Sequence, residues 1–192
     1  MALGLERISR PGVIRALPGP CMVGPMSDIY VVVVEIPGGS RNKYEYDHES
    51  GAIFLDRRLF TATRYPTDYG FFPDTLAEDG DPLDALVLVT DPTFPGCHVR
   101  ARPIGIFWME DEKGPDGKVV TVPVGDPVFG RMHSIEDMET EARNEIEHFF
   151  SIYKDLESGK RTSTRGWSGP EEAVATIEDA RRRNRLASSS RG

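Results

Sequence analysis

The segment IYVVVVEIPGG, residues 29–39, decides the fold class of this chain. Its β-branched residues favour an extended strand, and the Pro-Gly-Gly sequence that ends it is typical of a turn. Comparable β-rich runs bounded by turn residues continue to about residue 128; they cover residues 44–47, 52–55, 85–89, 97–108 and 119–124. The first two flank Ser50-Gly51 and predict a hairpin. Many short strands with regular turns indicate a closed or partly closed β-barrel.

The last third of the chain changes to a helical period. Apolar residues from Ile135 to Tyr153 fall on one helical stripe, and Gly159 follows where a C-terminal cap would end the helix. A capping-box pattern at residues 168–171 predicts a second helix, with Ile177 on its buried face. The predicted fold class is therefore α+β, mainly β, with two helices after the barrel.

The two ends of the chain lack this order. Residues 1–25 contain Gly and Pro without periodicity and are predicted to form a disordered leader. Residues 181–192 are basic and then Ser-rich, and we expect a disordered, solvated tail rather than a nucleic-acid-binding arm. Residues 26–180 are predicted to form one domain, which suits a chain of 192 residues.

Composition argues against several functions. The chain has 23 Lys and Arg against 31 Asp and Glu, a net charge of -8, which disfavours binding to nucleic acid or to an anionic membrane surface. Cys21 and Cys97 are too few for a disulfide framework, and no apolar run has the length of a membrane span. The N-terminal segment has no apolar region of the kind found in secretory signals. We therefore expect a soluble, cytoplasmic protein.

The segment EDGDPLD, residues 78–84, is the most informative for function. It places Asp79, Asp81 and Asp84 close together where a glycine and a proline prevent a helix. Carboxylates held this close repel each other unless a cation lies between them, and hard oxygen ligands suit Mg²⁺. The simpler alternative is a solvated acidic turn, and the segment alone leaves both interpretations open.

A second acidic group, Asp111, Glu112 and Asp116, flanks a Gly/Pro turn over residues 113–117, and Lys118 follows it. Alone, such a group is most often an exposed hairpin tip. Together with the acidic segment before it, the group could hold two or more metal ions with a bridging water made nucleophilic.

Candidate groups for binding an anion are spread along the chain. They are Lys43, Arg57, Tyr65, Tyr69, Tyr153, Lys154 and Lys160. Each has an ordinary explanation as a solvated strand residue or a packing group, although Tyr65 and Tyr69 lie in a segment too irregular for a core stripe. Acidic loops, cations and phenols together are what an oxygen-rich anion held through Mg²⁺ requires. Glycine-rich nucleotide loops, the H-E-x-x-H zinc motif and the G-x-S-x-G nucleophile motif do not occur in the sequence.

Several motifs occur in one order between about Asp28 and Glu178. They are Glu35-Ile36-Pro37, Lys43-Tyr44-Glu45, Asp56-Arg57, Tyr65-Pro66-x-x-Tyr69-Gly70, Asp79-Gly80-Asp81-Pro82-x-Asp84, Asp111-Glu112, Asp116-x-Lys118 and residues 148–156. In content and order they resemble the soluble family I inorganic pyrophosphatases of the bacterial type. The D-G-D-P-x-D block is highly specific for that family.

The resemblance implies a five-stranded OB-like barrel flanked by helices, and Mg²⁺-dependent hydrolysis of inorganic diphosphate to two phosphates. It implies that Asp79, Asp84 and Asp116 bind a tight metal ion and that Asp111 binds a further one. Asp81 matches the general base, which deprotonates a metal-activated water. Several Mg²⁺ ions per site are implied, with Mn²⁺ or Zn²⁺ as alternatives that the sequence leaves open.

The resemblance also assigns the substrate-binding groups. Lys43, Arg57, Tyr153 and Lys154 match residues that hold phosphate, and Tyr69 matches a residue near the leaving group. Supporting positions are Glu35 and Glu45 at the rim, Tyr65, and Lys118 beside the metals. Bacterial members are usually homohexamers, so the resemblance implies a homo-oligomer.

Two other functions remain to be distinguished. One is a metal-dependent phosphohydrolase acting on nucleotides, which would need a base or ribose pocket. The other is a non-enzymatic OB-type module that binds oligonucleotides on its barrel face.

Overall fold

The structure, a computed structural model, describes residues 29–112 and 114–189; the predicted leader, residues 1–25, lies outside them. The helices and strands of the described part follow the chain in one order. They are β1 (Tyr30–Ile36), β2 (Asn42–Asp47), β3 (Ala52–Arg58), β4 (Asp68–Phe71), β5 (Asp84–Val87), β6 (His98–Asp111), β7 (Gly114–Pro123), α1 (Thr140–Ile152), β8 (Ser163–Ser168) and α2 (Pro170–Ser189).

Five of these strands close a ring. Their hydrogen-bonding order is β1-β4-β5-β7-β6, and β6 pairs with β1 to complete the circle. Strands β5 and β7 run parallel, whereas the other neighbours in the ring are antiparallel. The mainly β fold with a closed five-stranded sheet and two C-terminal helices is confirmed.

The remaining strands lie outside this ring. Strands β2 and β3 form the predicted hairpin as a separate two-stranded sheet, and β8 adds to the outer side of β6. Strand β4 lies in the segment that looked irregular in the sequence. It is held close to β1 because Gly70 has no side chain: a Cβ there would lie 2.0 Å from the Val33 carbonyl oxygen. Strand β8 has no signal in the sequence analysis.

The single helical stripe predicted over residues 135–153 is wrong in one respect. A 3-10 turn, Ile135–Asp137, comes first, and the chain is extended at Met138 before α1 begins at Thr140. A capping box begins this turn, in which the Ser134 hydroxyl and the Asp137 carboxylate each accept a backbone hydrogen bond. The extended backbone of Met138 then ends the turn and separates it from α1. The periodicity nevertheless predicted the buried face of α1, which includes Ile146, Phe149 and Phe150.

The tail predicted from residue 181 is also wrong where the structure describes it, because α2 continues to Ser189. Its basic side chains make defined contacts, which a disordered and solvated tail would not make. Arg181 stacks over the Tyr30 ring at 4.7 Å, and Arg182 pairs with Asp179 one turn earlier, at 2.9 Å. The domain boundary predicted at residue 180 therefore falls inside a helix.

The core has two apolar clusters, one against each helix. Alternation along the strands separates them: Leu86 of β5 packs in the cluster of α1, whereas its neighbours Ala85 and Val87 pack in that of α2. Both helices are thus bound to the closed sheet by buried apolar area. No helix of the described residues is long and apolar enough to cross a bilayer.

Candidate active site

The pairing of β5 with β7 brings acidic and basic groups of two distant segments together. Asp84, the first residue of β5, lies opposite Lys118 in parallel register, and Asp116 precedes Lys118 by two residues on the same face of β7. The turn predicted over residues 113–117 is mostly strand, because β7 begins at Gly114. A pleated strand, rather than a loop, therefore orients Asp116.

Lys118 lies between the two carboxylates. Its Nζ is 2.6 Å from Asp84 Oδ2 and 3.0 Å from both oxygens of Asp116, and its side chain is only 2% exposed. Burial by itself would lower the pKa of Lys118, but the charges of Asp116 and Asp84 outweigh it and hold this pKa well above its usual range. Lys118 is therefore a permanent cation inside the protein.

Asp84 is destabilised as an anion. Burial raises its pKa, the nearby charge of Asp116 raises it further, and Lys118 offsets only part of this. The Tyr69 hydroxyl favours the charged form and so lowers this pKa in part. Two carboxylates thus share one ammonium, and a further cation would relieve their repulsion.

The acidic loop between β4 and β5 carries the other two aspartates of the D-G-D-P-x-D block. Gly80 adopts φ +94°, and the Asp81 amide donates to Asp79 Oδ1 at 3.1 Å, so the loop turns sharply here. Both side chains are exposed at the cleft, whereas the apolar residue Leu83 behind them is buried. The turn therefore presents Asp79 and Asp81 to solvent at the opening of the site.

The hairpin β2–β3 supplies two cations. Lys43 and Arg57 are directly opposite each other across the two strands. Lys43 pairs with Glu45 and lies 3.5 Å from Asp56, while Arg57 pairs with Asp56 and with Glu157 at 2.8 Å. Each cation already pairs with carboxylates, so an anionic substrate must compete with these carboxylates for the cation.

The end of α1 supplies a phenol and an ammonium. Tyr153 is the C-cap residue of α1, and its ring stacks on Phe149 at 5.3 Å. Lys154 Nζ lies 3.0 Å from Asp111 Oδ2, which links the helix end to the tip of the β6–β7 hairpin. Burial raises the pKa of Tyr153, although Lys118 and Lys154 lower it in part, so this hydroxyl stays protonated at neutral pH.

Tyr65 and Tyr69 differ in position. Tyr69 lies at the cleft, and burial followed by the charge of Asp84 raises its pKa well above the usual range. Tyr65 is 2% exposed and packs in the core against Phe149, at 4.8 Å between ring centroids. Of the two readings that the sequence left open for Tyr65, the structure supports a packing group behind the site.

Glu35 lies at the end of β1 and accepts a hydrogen bond from the Tyr46 amide at 2.7 Å. Burial raises its pKa from 4.5 to about 7, against the lowering effect of this hydrogen bond and with a smaller contribution from Asp84. Glu35 thus changes its charge near neutral pH.

All of the predicted site residues except Tyr65 line one open cleft of about 440 Å³. The predicted site residues in its wall are Glu35, Lys43, Glu45, Arg57, Tyr69, Asp79, Asp81, Asp84, Asp111, Asp116, Lys118, Tyr153 and Lys154. Carboxylates from the acidic loop and β7 face cations from the hairpin and α1. The cleft therefore has the two kinds of group that a metal-bound polyanion requires.

The structure adds cleft residues that the sequence analysis did not assign. One is Asp56, which bridges Lys43 and Arg57. Glu112 and Lys160, already candidates from the sequence, pair with each other in the same cleft. Tyr46 and His48 form an aromatic wall with Phe71, with centroids 5.0–5.3 Å apart. Asp56 could have been predicted from the hairpin register. The aromatic wall could not, because it depends on how the hairpin packs against β4.

The predicted metal ligands line the same cleft, but their side chains do not converge on one point as they would around a bound ion. Among the described residues, no three His, Cys, Asp or Glu side chains are close enough to hold a metal ion as they stand. The donors nevertheless fit a hard divalent cation, because they are carboxylates and because Asp84 and Asp116 carry an uncompensated negative charge beside Lys118.

Comparison with known proteins identifies the family. The family model described as inorganic pyrophosphatase matches residues 32–185. This chain belongs to the inorganic pyrophosphatase family. Within that family it is of the bacterial type I, and membership makes it an enzyme of the inorganic diphosphatase class.

Individual pyrophosphatases are similar over most of their length. The inorganic pyrophosphatase of Streptomyces coelicolor is 57% identical over 152 residues, which cover 79% of this chain and 93% of that protein. That of Methanosarcina acetivorans is 51% identical and covers 79% and 90%. The crystal structure of the Thermus thermophilus pyrophosphatase matches with a TM-score of 0.81 and 45% identity, over 88% of this chain and 97% of that one.

Proposed function

We propose that this pyrophosphatase hydrolyses inorganic diphosphate in a Mg²⁺-dependent reaction, with Asp81 as the general base. The observation that carries the proposal is the single cleft in which acidic side chains of residues 79–84 and 111–116 face Lys43, Arg57 and Lys154. Diphosphate is a polyanion, so its binding needs cations, and its hydrolysis needs a water that has lost a proton.

The proposed metal ligands are Asp79, Asp84, Asp111 and Asp116. Divalent ions, when bound, would neutralise charge on the diphosphate and lower the pKa of the attacking water. Lys118 would keep Asp84 and Asp116 in place before binding, because it holds both carboxylates on one side.

The remaining residues would act directly on substrate and water. Asp81, exposed on the acidic loop, would accept the proton of the attacking water at its carboxylate. Lys43, Arg57, Lys154 and the Tyr153 hydroxyl would hold the phosphate oxygens and offset the charge that develops on the departing phosphate.

The remaining proposed positions are supporting ones. The Tyr69 hydroxyl would orient Asp84 near the leaving group, since it favours the charged form of that carboxylate. Glu35 and Glu45 would hold the hairpin at the rim, through the Tyr46 amide and Lys43 respectively.

The test compares Asp81→Asn with Asp91→Asn, an exposed aspartate outside the cleft. Asp81→Asn should lower kcat for diphosphate by about 10²–10⁴-fold while keeping Mg²⁺ binding measured by calorimetry. Asp91→Asn should behave as wild type. Wild-type turnover by Asp81→Asn would remove Asp81 from the base role.

Phosphate release from diphosphate and from ATP distinguishes the alternatives. We expect Mg²⁺-dependent release from diphosphate and little from ATP, with loss of activity in EDTA. Preference for ATP would favour a nucleotide phosphohydrolase, and oligonucleotide binding without turnover would favour a binding module.

A homohexamer is proposed from the family resemblance. Exposed apolar side chains on and after the hairpin, Phe54, Leu55 and Phe60, support an oligomer, since each is more than half exposed in the single chain. Light scattering should give six times the chain mass of 21.3 kDa.

A further inference from the structure

One peptide group connects the acidic loop to helix α2. The carbonyl of Leu76 accepts a hydrogen bond from Arg183 Nε at 2.9 Å, and the next amide, Ala77 N–H, donates to the Asp81 carbonyl at 2.7 Å. The Leu76 C=O and the Ala77 N–H belong to the same planar unit. Fixing the direction of its carbonyl therefore fixes the direction of its N–H, and with it the main chain of Asp81.

The bond from Arg183 is a strong one for this purpose. A hydrogen bond with a charged donor is about twice as strong as a neutral one, and it polarises the peptide group so that the N–H on its far side donates better. Arg183 is half-buried, so its guanidinium is partly shielded from water where it meets the Leu76 carbonyl. The two bonds in series thus reinforce each other.

Helix α2 is well placed to hold Arg183 still. Ala173, Ile177 and Ala180 of α2 are fully buried in the same cluster as Phe72 and Leu83, which lie at the two ends of the loop. The Leu76 amide also donates to the Ala180 carbonyl at 3.0 Å. Arg183 follows Ala180 by one helical turn and so lies on the face that the cluster anchors.

The base of the loop does not depend on Arg183. The Phe72 amide donates to the Leu83 carbonyl at 2.9 Å, and the Thr75 hydroxyl accepts from the Leu83 amide, also at 2.9 Å. Loss of the guanidinium should therefore loosen the segment from Leu76 to Asp81 and leave the barrel folded.

We infer that Arg183 is a positioning residue for Asp81, acting through the Leu76–Ala77 peptide. This inference rests on the proposed function in so far as Asp81 is the base. The link between Arg183 and the loop is a separate matter that can be measured without activity.

The first experiment measures hydrogen–deuterium exchange of the metal-free protein over residues 73–83. Arg183→Met should speed exchange at the Ala77 amide about tenfold, because the polarised peptide loses its charged donor. Arg182→Met is the matched control, since that side chain is 63% exposed and pairs with Asp179 of the same helix. Equal exchange in wild type and Arg183→Met would overturn the inference.

The second experiment is a double-mutant cycle with Asp81→Asn. Arg183→Met alone should lower kcat about tenfold with KM within about twofold, since a misplaced base affects the chemical step. In the Asp81→Asn background the same change should have no further effect. A tenfold loss in both backgrounds, or no loss in wild type, would overturn the role at Asp81.

Two outcomes separate this inference from the proposed function. Wild-type turnover by Asp81→Asn contradicts the proposed base, while the exchange result still decides whether Arg183 holds the loop. If Arg183→Met fails to fold, Arg183→Ala, which also removes the donor, takes its place in both experiments. Unchanged exchange and kcat in Arg183→Ala would then overturn the inference.

Discussion

The ammonium of Lys118 and the carboxylate of Asp84 lie 2.6 Å apart on opposite residues of the parallel pair β5–β7. The Lys118 side chain is almost completely buried, and Asp116 contacts it from the same strand. Strand register therefore determines the distance between these charges. A shift of one residue would move Lys118 to the opposite face of the sheet and remove it from both carboxylates.

Replacing Lys118 by Met should destabilise the metal-free protein. The change leaves the half-buried carboxylates of Asp84 and Asp116 without their counter-charge. Because both are partly solvated, the loss of stability should be about 1–3 kcal/mol, which is below the cost of breaking a fully buried pair. Urea unfolding in EDTA measures the loss. Lys160→Met, which breaks the more exposed pair with Glu112, should cost less than about 1 kcal/mol. Equal stabilities for the two variants would contradict the structural role of Lys118.

Replacing Arg57 by Ala should weaken substrate binding. Its guanidinium lies opposite Lys43, and charged hydrogen bonds contribute about 1.5–3 kcal/mol each, so KM for magnesium diphosphate should rise about tenfold to a hundredfold. Steady-state kinetics measure this. Arg58→Ala is the control, because Arg58 is the next residue of β3 and does not line the cleft. Wild-type KM in Arg57→Ala would remove Arg57 from the substrate-binding groups.

Removing the hydroxyl of Tyr153 should affect catalysis and leave the fold intact. Tyr153→Phe keeps the ring that stacks on Phe149, so the melting temperature should change little. Loss of a donor to a charged phosphate should lower kcat/KM about tenfold or more. Tyr65→Phe provides the comparison, since Tyr65 lies behind the site, and its kcat/KM should stay within about twofold of wild type. A larger loss of kcat/KM in Tyr65→Phe than in Tyr153→Phe would contradict the roles given to the two tyrosines.

Glu35 should make the stability of the metal-free protein depend on pH. Its pKa is about 7 in the folded protein and 4.5 as an unperturbed side chain, so the folded state favours the protonated form. The stabilisation is complete below pH 4.5 and is lost as pH rises through 7. The free energy of unfolding of wild type should therefore fall relative to that of Glu35→Gln as pH rises from 5 to 8, by about 2–3 kcal/mol.

Urea unfolding in EDTA at these two pH values measures the effect of Glu35. Glutamine keeps an acceptor for the Tyr46 amide, so the comparison isolates the charge. Glu49→Gln, at the exposed hairpin turn, should follow wild type at both pH values. Parallel pH profiles for wild type and Glu35→Gln would show that Glu35 does not titrate in this range.

The sequence predicted much of the site because its chemistry lies in short local motifs. The D-G-D-P-x-D block marks Asp79, Asp81 and Asp84 as a group within one loop, and the hairpin pattern predicts where Lys43 lies. Tyr65 could not be distinguished from Tyr69 in this way, because burial of either ring depends on contacts with α1, which is distant in sequence. Strand β8 was missed for the same reason, since its pairing with β6 provides the stabilisation that its composition lacks.

By itself, the sequence determined the mainly β fold, the catalytic family and the identity of most of the charged and phenolic residues in the cleft, because turn residues, strand alternation and acidic motifs act over a few positions. Tertiary structure alone decided that Asp116 lies on a strand, that Lys118 is buried between two carboxylates, and that residues 181–189 continue α2 and reach the acidic loop through Arg183. These features depend on which distant segments meet. Their stability comes from burial and hydrogen bonds between segments, which no local pattern records.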